Sequence, residues 1–268
     1  MTDEPSKSHG RLSIAPSIAP RDLMQDRPSV AGAWSAQVIT LFPDVFPGVL
    51  GASLTGKALD QGLWQLDAID LRVFGEGKHR KVDDTPAGGG AGLVLRPDIM
   101  GKAVRFAKRK QDLPVIYLSP RGRPFDQATA RSWADGPGVC LIAGRFEGLD
   151  QRVIDHFDID EVSLGDFVMT GGEIAAQAMI DASVRLLPGV LGNAASVEDE
   201  SFASGLLEHP QFTRPAEWEG RRIPDVLSSG DHGAVDQWRK AEAEALTRAR
   251  RPDLWRLYKT GEKDRESS

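Results

Sequence analysis

One cysteine, Cys140, stands in a chain of 268 residues. A lone thiol closes no internal disulfide and builds no thiolate metal cluster, so disulfide scaffolds and zinc ribbons are excluded. Cys140 falls within the apolar run Val139-Cys140-Leu141-Ile142-Ala143, where a small buried hydrophobe is the expected role. Histidines are few as well: His9, His79, His156, His209 and His232 show no metal-ligand spacing, and no metal site is expected from them. No apolar stretch approaches the roughly 20 residues needed to cross a membrane. The first residues carry Asp3 and Glu4 and no hydrophobic segment, so no signal peptide is expected and a cytoplasmic location is the default. Several catalytic signatures are missing too. No G-x-G-x-x-G follows the first strand candidate, and neither G-x-S-x-G nor H-E-x-x-H occurs. Gly51 to Lys57 (GASLTGK) approaches a P-loop, but Ala58 follows where a metal-binding hydroxyl is required, and the run lies in a helical pattern.

What is present is ordinary in bulk and uneven in detail. Apolar residues at 40%, charged residues at 27% and a net charge of −6 describe a globular protein able to bury a proper core. The basic residues gather: Lys102, Arg105, Lys108, Arg109, Lys110, Arg121, Arg123 and Arg131 stand against only Asp112 and Asp126. A second basic excess runs from Arg239 to Lys259. Screening limits the reach of charge to about 10 Å, so a patch can bind phosphates on an acidic protein. A solvated helix face accounts for either run equally well.

Residues 1–34, with their Ser-Ile-Ala-Pro repeat, offer too little apolar surface to offset ordering entropy and read as a flexible extension. Strands are predicted at Ala36–Phe42, Trp64–Phe74, Pro114–Ser119, Val139–Gly144 and Asp160–Leu164. Helical patterns lie between them, up to Asp60, over Pro97–Lys110 and Asp126–Ala134, and after Gly148. Short apolar strands alternating with helices predict an α/β fold with a mostly parallel sheet covered on both faces. From Gly171 to Leu187 the polar residues Glu173, Gln177, Asp181 and Arg185 recur every four positions among small and apolar ones. That is a mostly buried helix with a narrow polar stripe, on which Asp181 and Arg185 are spaced to pair. An acidic, loop-like linker is expected over 194–215, and 216–268 reads as a small helical domain whose core holds Trp238 and Trp255.

Three Gly-containing corners follow successive strand candidates: Ser119-Pro120-Arg121-Gly122, Gly144-Arg145-Phe146-Glu147-Gly148, and Leu164 to Met169 running into Gly171-Gly172. In open α/β sheets ligands bind beyond the carboxyl ends of the strands, and glycine there permits close backbone approach. The residues alone point to a small-molecule site.

The segments HRKVDD (79–84) with Gly88-Gly89-Gly90, YLSPRG (117–122), GRFEG (144–148), LGDFVMTGGE (164–173), RLLPGVLGN (185–193) and SFASGLLEHPQFTRP (201–215) occur in the order seen in the bacterial TrmD family. The chain resembles these tRNA (guanine-N1)-methyltransferases over about Val38 to Arg239. The resemblance implies a SPOUT-type α/β fold whose sheet ends in a deep trefoil knot, an exception to un-knotted connection. It also implies a small all-helical C-terminal domain over 216–268 that binds tRNA. A methyltransferase domain over 35–193 is implied as well, and a homodimer with active sites at the interface. S-adenosylmethionine is the implied methyl donor, held by Tyr117, Leu118, Pro120, Gly122, Gly144, Phe146, Glu147, Leu164, Gly165, Asp166, Phe167, Val168, Met169, Gly171 and Gly172. The catalytic arginine maps onto Arg185. The general base, an aspartate before the Ser-Phe pair in the family, maps onto Glu200, with Asp199 beside it. For a Mg²⁺ requirement, Glu147 is the implied ligand. Phe146 and Phe167 stand where relatives often carry tyrosine, so stacking survives and a hydroxyl is lost.

Overall fold

The computed structural model describes residues 30–192, 201–202 and 204–266. Glu200 and Asp199, most of the extension, and part of the linker lie outside the described residues. Five strands form an all-parallel sheet: β1 (Trp34–Thr40), β2 (Trp64–Asp70), β5 (Val115–Pro124), β6 (Gly138–Ala143) and β7 (Asp160–Ser163), in the order β2-β1-β6-β5-β7. Two short strands, β3 (Asp83–Asp84) and β4 (Val94–Leu95), form a separate antiparallel pair.

Alternation along the strands explains the layers. Ala36 and Val38 of β1, Val139, Leu141 and Ala143 of β6, and Ile116 and Leu118 of β5 share one face. That face packs against α1 (Ser53–Asp60), α3 (Gln127–Asp135) and α5 (Glu173–Val184), through Ala58, Trp133, Met179, Ile180 and Val184. The other face carries Ile39, Cys140, Ile142, Val115 and Tyr117, covered by α2 (Pro97–Lys110) and α4 (Gln151–Phe157). With both faces buried, the strands read as continuous apolar runs, and all seven residues of β1 are buried. Burial pushes the Cys140 thiol up to about 12, so it is a packing residue with negligible thiolate.

The predicted boundaries moved at strand ends. The first strand starts at Trp34, inside the span read as extension, because the Trp34 indole Nε1 donates to the Trp133 carbonyl at 2.8 Å and its ring joins the core. Trp64–Phe74 is strand only to Asp70; the Asp70 side chain accepts from the Arg72 N–H and starts a 3₁₀ turn over Leu71–Phe74. The strand after Pro114 runs on to Pro124, past the predicted end at Ser119.

The C-terminal region holds α6 (His232–Arg250) and α7 (Pro252–Glu266). It is not all-helical: β8 (Glu217–Trp218) and β9 (Arg221–Arg222) make a hairpin whose two-residue turn, Glu219-Gly220, has positive φ at both positions. The described part of the linker is docked. Leu206 is buried, and the Leu207 N–H donates to the fully buried Thr247 hydroxyl at 2.8 Å. Trp238 packs edge-on against His209 and Phe212, and Trp255 stacks on Tyr258; both indoles are half-buried. No helix among the described residues is long and apolar enough to cross a membrane.

Candidate active site

The sheet order makes β6, β5 and β7 neighbours, and because all are parallel their carboxyl-terminal corners emerge side by side. Atomic contacts tie the corners together. The Gly172 N–H donates to the Gly144 carbonyl at 2.9 Å, and Arg145 Nη1 donates to the Thr170 carbonyl at 3.1 Å. Tyr117, buried in the first half of β5, lies under the second corner: a Cβ on Gly144 would stand 2.7 Å from its ring, and one on Gly148 2.8 Å from its hydroxyl. Burial raises the Tyr117 phenol above its ordinary range, against the Leu149 N–H bond that lowers it, so the hydroxyl stays protonated. A Cβ on Gly172 would meet the Ala143 Cα at 2.8 Å. Gly144 and Gly148 thus make room for the Tyr117 ring and hydroxyl, and Gly172 lets the third corner lie directly on the backbone of Ala143 and Gly144.

Of the residues the sequence pointed to, Tyr117 and Leu118 are buried at the base, whereas Pro120, Phe146, Glu147, Asp166, Phe167 and Val168 are exposed at the rim. Val168 is 84% exposed and Phe146 holds a left-handed φ of 60°. Leu164, Gly165, Met169 and Gly171 are half-buried between these levels, and Gly122 lies directly on the backbone of Glu161 and Val162. Among the described residues no group of three or more His, Cys, Asp and Glu side chains converges as a metal site. The exposed Glu147 carboxylate is the single acid on the second corner.

A buried network escaped the sequence reading. Glu173, 4% exposed, accepts from the Thr40 hydroxyl at 2.8 Å, and its other oxygen lies 2.8 Å from Arg145 Nη2. The latter contact is one of charge, without hydrogen-bond alignment at Glu173 Oε2. The Arg145 guanidinium also lies 4.4 Å from the centre of the Phe42 ring, and Glu173 occupies the first turn of α5, where the helix dipole favours an anion. One ion pair thus joins the end of β1, the second corner and the third. The Gly-Gly-Glu step at the head of an apolar helix was the available signal. Glu173→Gln strips Arg145 of its counter-charge and is expected to cost about 2 kcal/mol, below the roughly 3–5 kcal/mol of a fully buried pair because Arg145 is partly exposed. Thermal melts should show a fall of about 4–8 °C. The Arg145→Met/Glu173→Gln double variant should melt above the sum of the single losses. Additive losses would show that the two are uncoupled.

The stripe on α5 is a seam. Besides the Glu173 bond, Gln177 Nε2 donates to the Val45 carbonyl at 3.3 Å and Asp181 Oδ1 accepts from the Thr55 hydroxyl at 2.6 Å. Polar residues every four positions therefore latch the helix to the segment 40–55. Asp181 spends its carboxylate on Thr55, and its carbonyl accepts the Arg185 N–H. Arg185 caps the helix, half-buried.

Comparison with known proteins follows the same motifs. The model of the family described as tRNA (Guanine-1)-methyltransferase TrmD matches residues 35–257. The chain belongs to this family. A tRNA (guanine-N(1)-)-methyltransferase of Ruegeria pomeroyi is 65% identical over 243 residues, covering 90% of this chain and 100% of that protein. Proteins of the same name from Jannaschia sp. (63% identical, 87% of this chain and 96% of that one) and Brucella ovis (54% identical, 85% and 93%) are also similar. The TrmD family is one of methyltransferase enzymes, and the family implies a methyl donor.

The long basic run is largely neutralised. Lys102 pairs with Glu76, Lys108 with Asp112, Lys110 with Asp67, Arg121 with Glu161 and Arg123 with Asp160, while Arg105 lies over the Phe157 ring. Exposed pairs add little stability, but they cancel charge that a phosphate would otherwise meet.

Proposed function

We propose that this chain transfers a methyl group from S-adenosylmethionine to N1 of the guanosine immediately 3′ of the anticodon, tRNA position 37. The observation that supports this reading most is the convergence of the three Gly-lined corners at adjacent strand ends, in a chain of the TrmD family. The cradle fits the donor: Gly144 and Gly148 leave no room for a side chain above Tyr117, and Phe146 and Phe167 offer exposed rings at the rim. When bound, the donor supplies an electrophilic methyl on a sulfonium.

Guanine N1 carries a proton at neutral pH and has no free lone pair for attack. The carboxylate of Glu200, or of Asp199 if the register shifts by one, takes that proton, and Arg185 faces the negative charge that builds on O6. Main-chain groups of 164–172 orient the donor, and buried Leu118 keeps water from the base of the site. Among the described residues no three acids or histidines gather around Glu147 to build a protein-made octahedral cage for Mg²⁺, and no step is assigned to the ion.

The domain plan keeps 35–193 as the methyltransferase unit with its trefoil knot, 194–215 as linker and 216–268 as the tRNA-binding unit, in the cytoplasm. The second copy of a homodimer would cover the face of α5 around Ile174, 66% exposed, with Val45 and Val49, which the Gln177–Val45 bond places beside it.

Mass analysis of nucleosides from a methylated transcript should find 1-methylguanosine at one position. A 2′-deoxyguanosine at the target should still be methylated. Loss of transfer to that substrate would move the chemistry to the ribose hydroxyl and overturn the reading.

A further inference from the structure

One motif plays no part in the donor site: the stretch Glu76 to Asp83, with four consecutive basic side chains at Lys78, His79, Arg80 and Lys81. It folds as a tight hairpin. The Lys81 N–H donates to the Glu76 carbonyl at 2.9 Å, the Arg80 N–H donates to the Gly77 carbonyl at 3.1 Å, and Gly77 and Arg80 both take left-handed φ. The Arg80 carbonyl lies so close on Gly75 that no side chain would fit there, which tethers the tip to the chain that precedes it. Below the tip is an open cavity of about 350 Å³ lined by Arg72, Lys78, Arg80 and Lys81, with only Glu76 and Asp83 as acids.

The charge balance here is opposite to that of α2. Glu76 is already shared by Arg96 and Lys102, and Lys81 pairs with Asp84. Among the described residues no carboxylate pairs with Arg72, Lys78 or Arg80, all exposed. Exposed cations without an acid partner that line one concave surface are suited to an oligoanion, and arginine's planar fork matches two phosphate oxygens at once.

Position selects the anion. Asp83 pairs with Leu95, and Leu95 bridges to Leu149 beside the second donor corner, where the Leu95 N–H also donates to the Gly148 carbonyl at 2.9 Å. Two strand-spacing steps, about 10 Å, therefore separate the base of the hairpin from the donor corner. That is of the order of one or two nucleotide lengths of RNA.

We propose that Arg72, Lys78 and Arg80 form a phosphate cradle that grips the RNA backbone of the methyl acceptor beside the reacting nucleotide. This rests on the reading of the chain as a tRNA methyltransferase. The cradle reads no base; it positions the strand and contributes the salt-dependent part of affinity.

The test measures tRNA binding by the full chain across a salt series. The Lys78→Gln/Arg80→Asn variant keeps exposed polar groups and a residue tolerant of the left-handed conformation. Loss of two phosphate contacts should reduce the slope of log Kd against log salt by about 1.5, and weaken tRNA binding about tenfold near physiological salt. Donor affinity, measured on the same sample, should match the unaltered chain and so report an intact fold. A matched variant, Lys57→Gln/Arg131→Gln, removes equal charge from α1 and α3 and should shift the slope by less than half as much. An unchanged slope in the hairpin variant, or an equal shift in the matched one, overturns the cradle. If the unaltered chain binds tRNA with the expected salt slope yet makes no 1-methylguanosine, the methyltransferase reading fails while the cradle is still decided by the binding series.

Discussion

Glu200→Gln should reduce methyl transfer by about 10²–10⁴-fold, the range over which a positioned general base contributes. The amide is close in shape to the carboxylate and cannot accept the N1 proton, so the loss belongs to chemistry. Donor affinity and the melting temperature should stay near those of the unaltered chain. Arg185→Ala should cost about 10²–10³-fold, because removal of a single preorganised cation or donor facing a developing oxyanion has that effect. Single-turnover assays on a tRNA transcript would measure both. Should Glu200→Gln remain active while Asp199→Asn does not, the base is Asp199 and the register shifts by one. Losing donor binding with Arg185→Ala would instead assign Arg185 to the cradle of the corners.

The second large effect concerns Gly122. The strand β5 pairs with β7 at Ile116–Leu118 against Asp160–Val162, and again at Arg123–Pro124 against Val162–Ser163. Between these two pairings the chain bulges out and returns, and Gly122 lies on the Glu161 carbonyl and the Val162 nitrogen. A methyl group there meets main chain, which cannot rotate away as a side chain would. Gly122→Ala is therefore expected to open the β5–β7 pairing, cost about 3 kcal/mol at the high end of overpacking, and lower the melting temperature by about 6–12 °C. Donor affinity should fall more than a hundredfold, because the first and third corners lose their shared wall. Gly192→Ala is the control, since a Cβ there has nothing within 4 Å. Equal donor affinity in both variants would show that the β5–β7 contact does not shape the site.

The elements were legible because their causes are local. Pro97 at the head of α2 and a basic last turn at Lys108–Lys110 bounded that helix as predicted. Asp126 capped α3 by accepting from the Thr129 N–H, and Asp150 capped α4 through Arg152. The corners were legible for a similar reason, as glycine marks places where backbone must come close. Misreadings occurred where a partner far along the chain decides. Trp34 became strand because Trp133 accepts its indole N–H, across 99 residues. The basic run on α2 was half a pattern, since its acids, Glu76 and Asp67, come from other elements.

The three Gly-containing corners, the parallel α/β plan and the buried helix bearing Arg185 followed from the chain read alone, because glycine content and apolar periodicity are properties of short stretches. Which corners adjoin, which cations keep their charge, and that Glu173 bridges Thr40 and Arg145 were decided by tertiary structure alone. Those contacts join residues up to 133 positions apart, and no local pattern encodes the sheet order that brings them together.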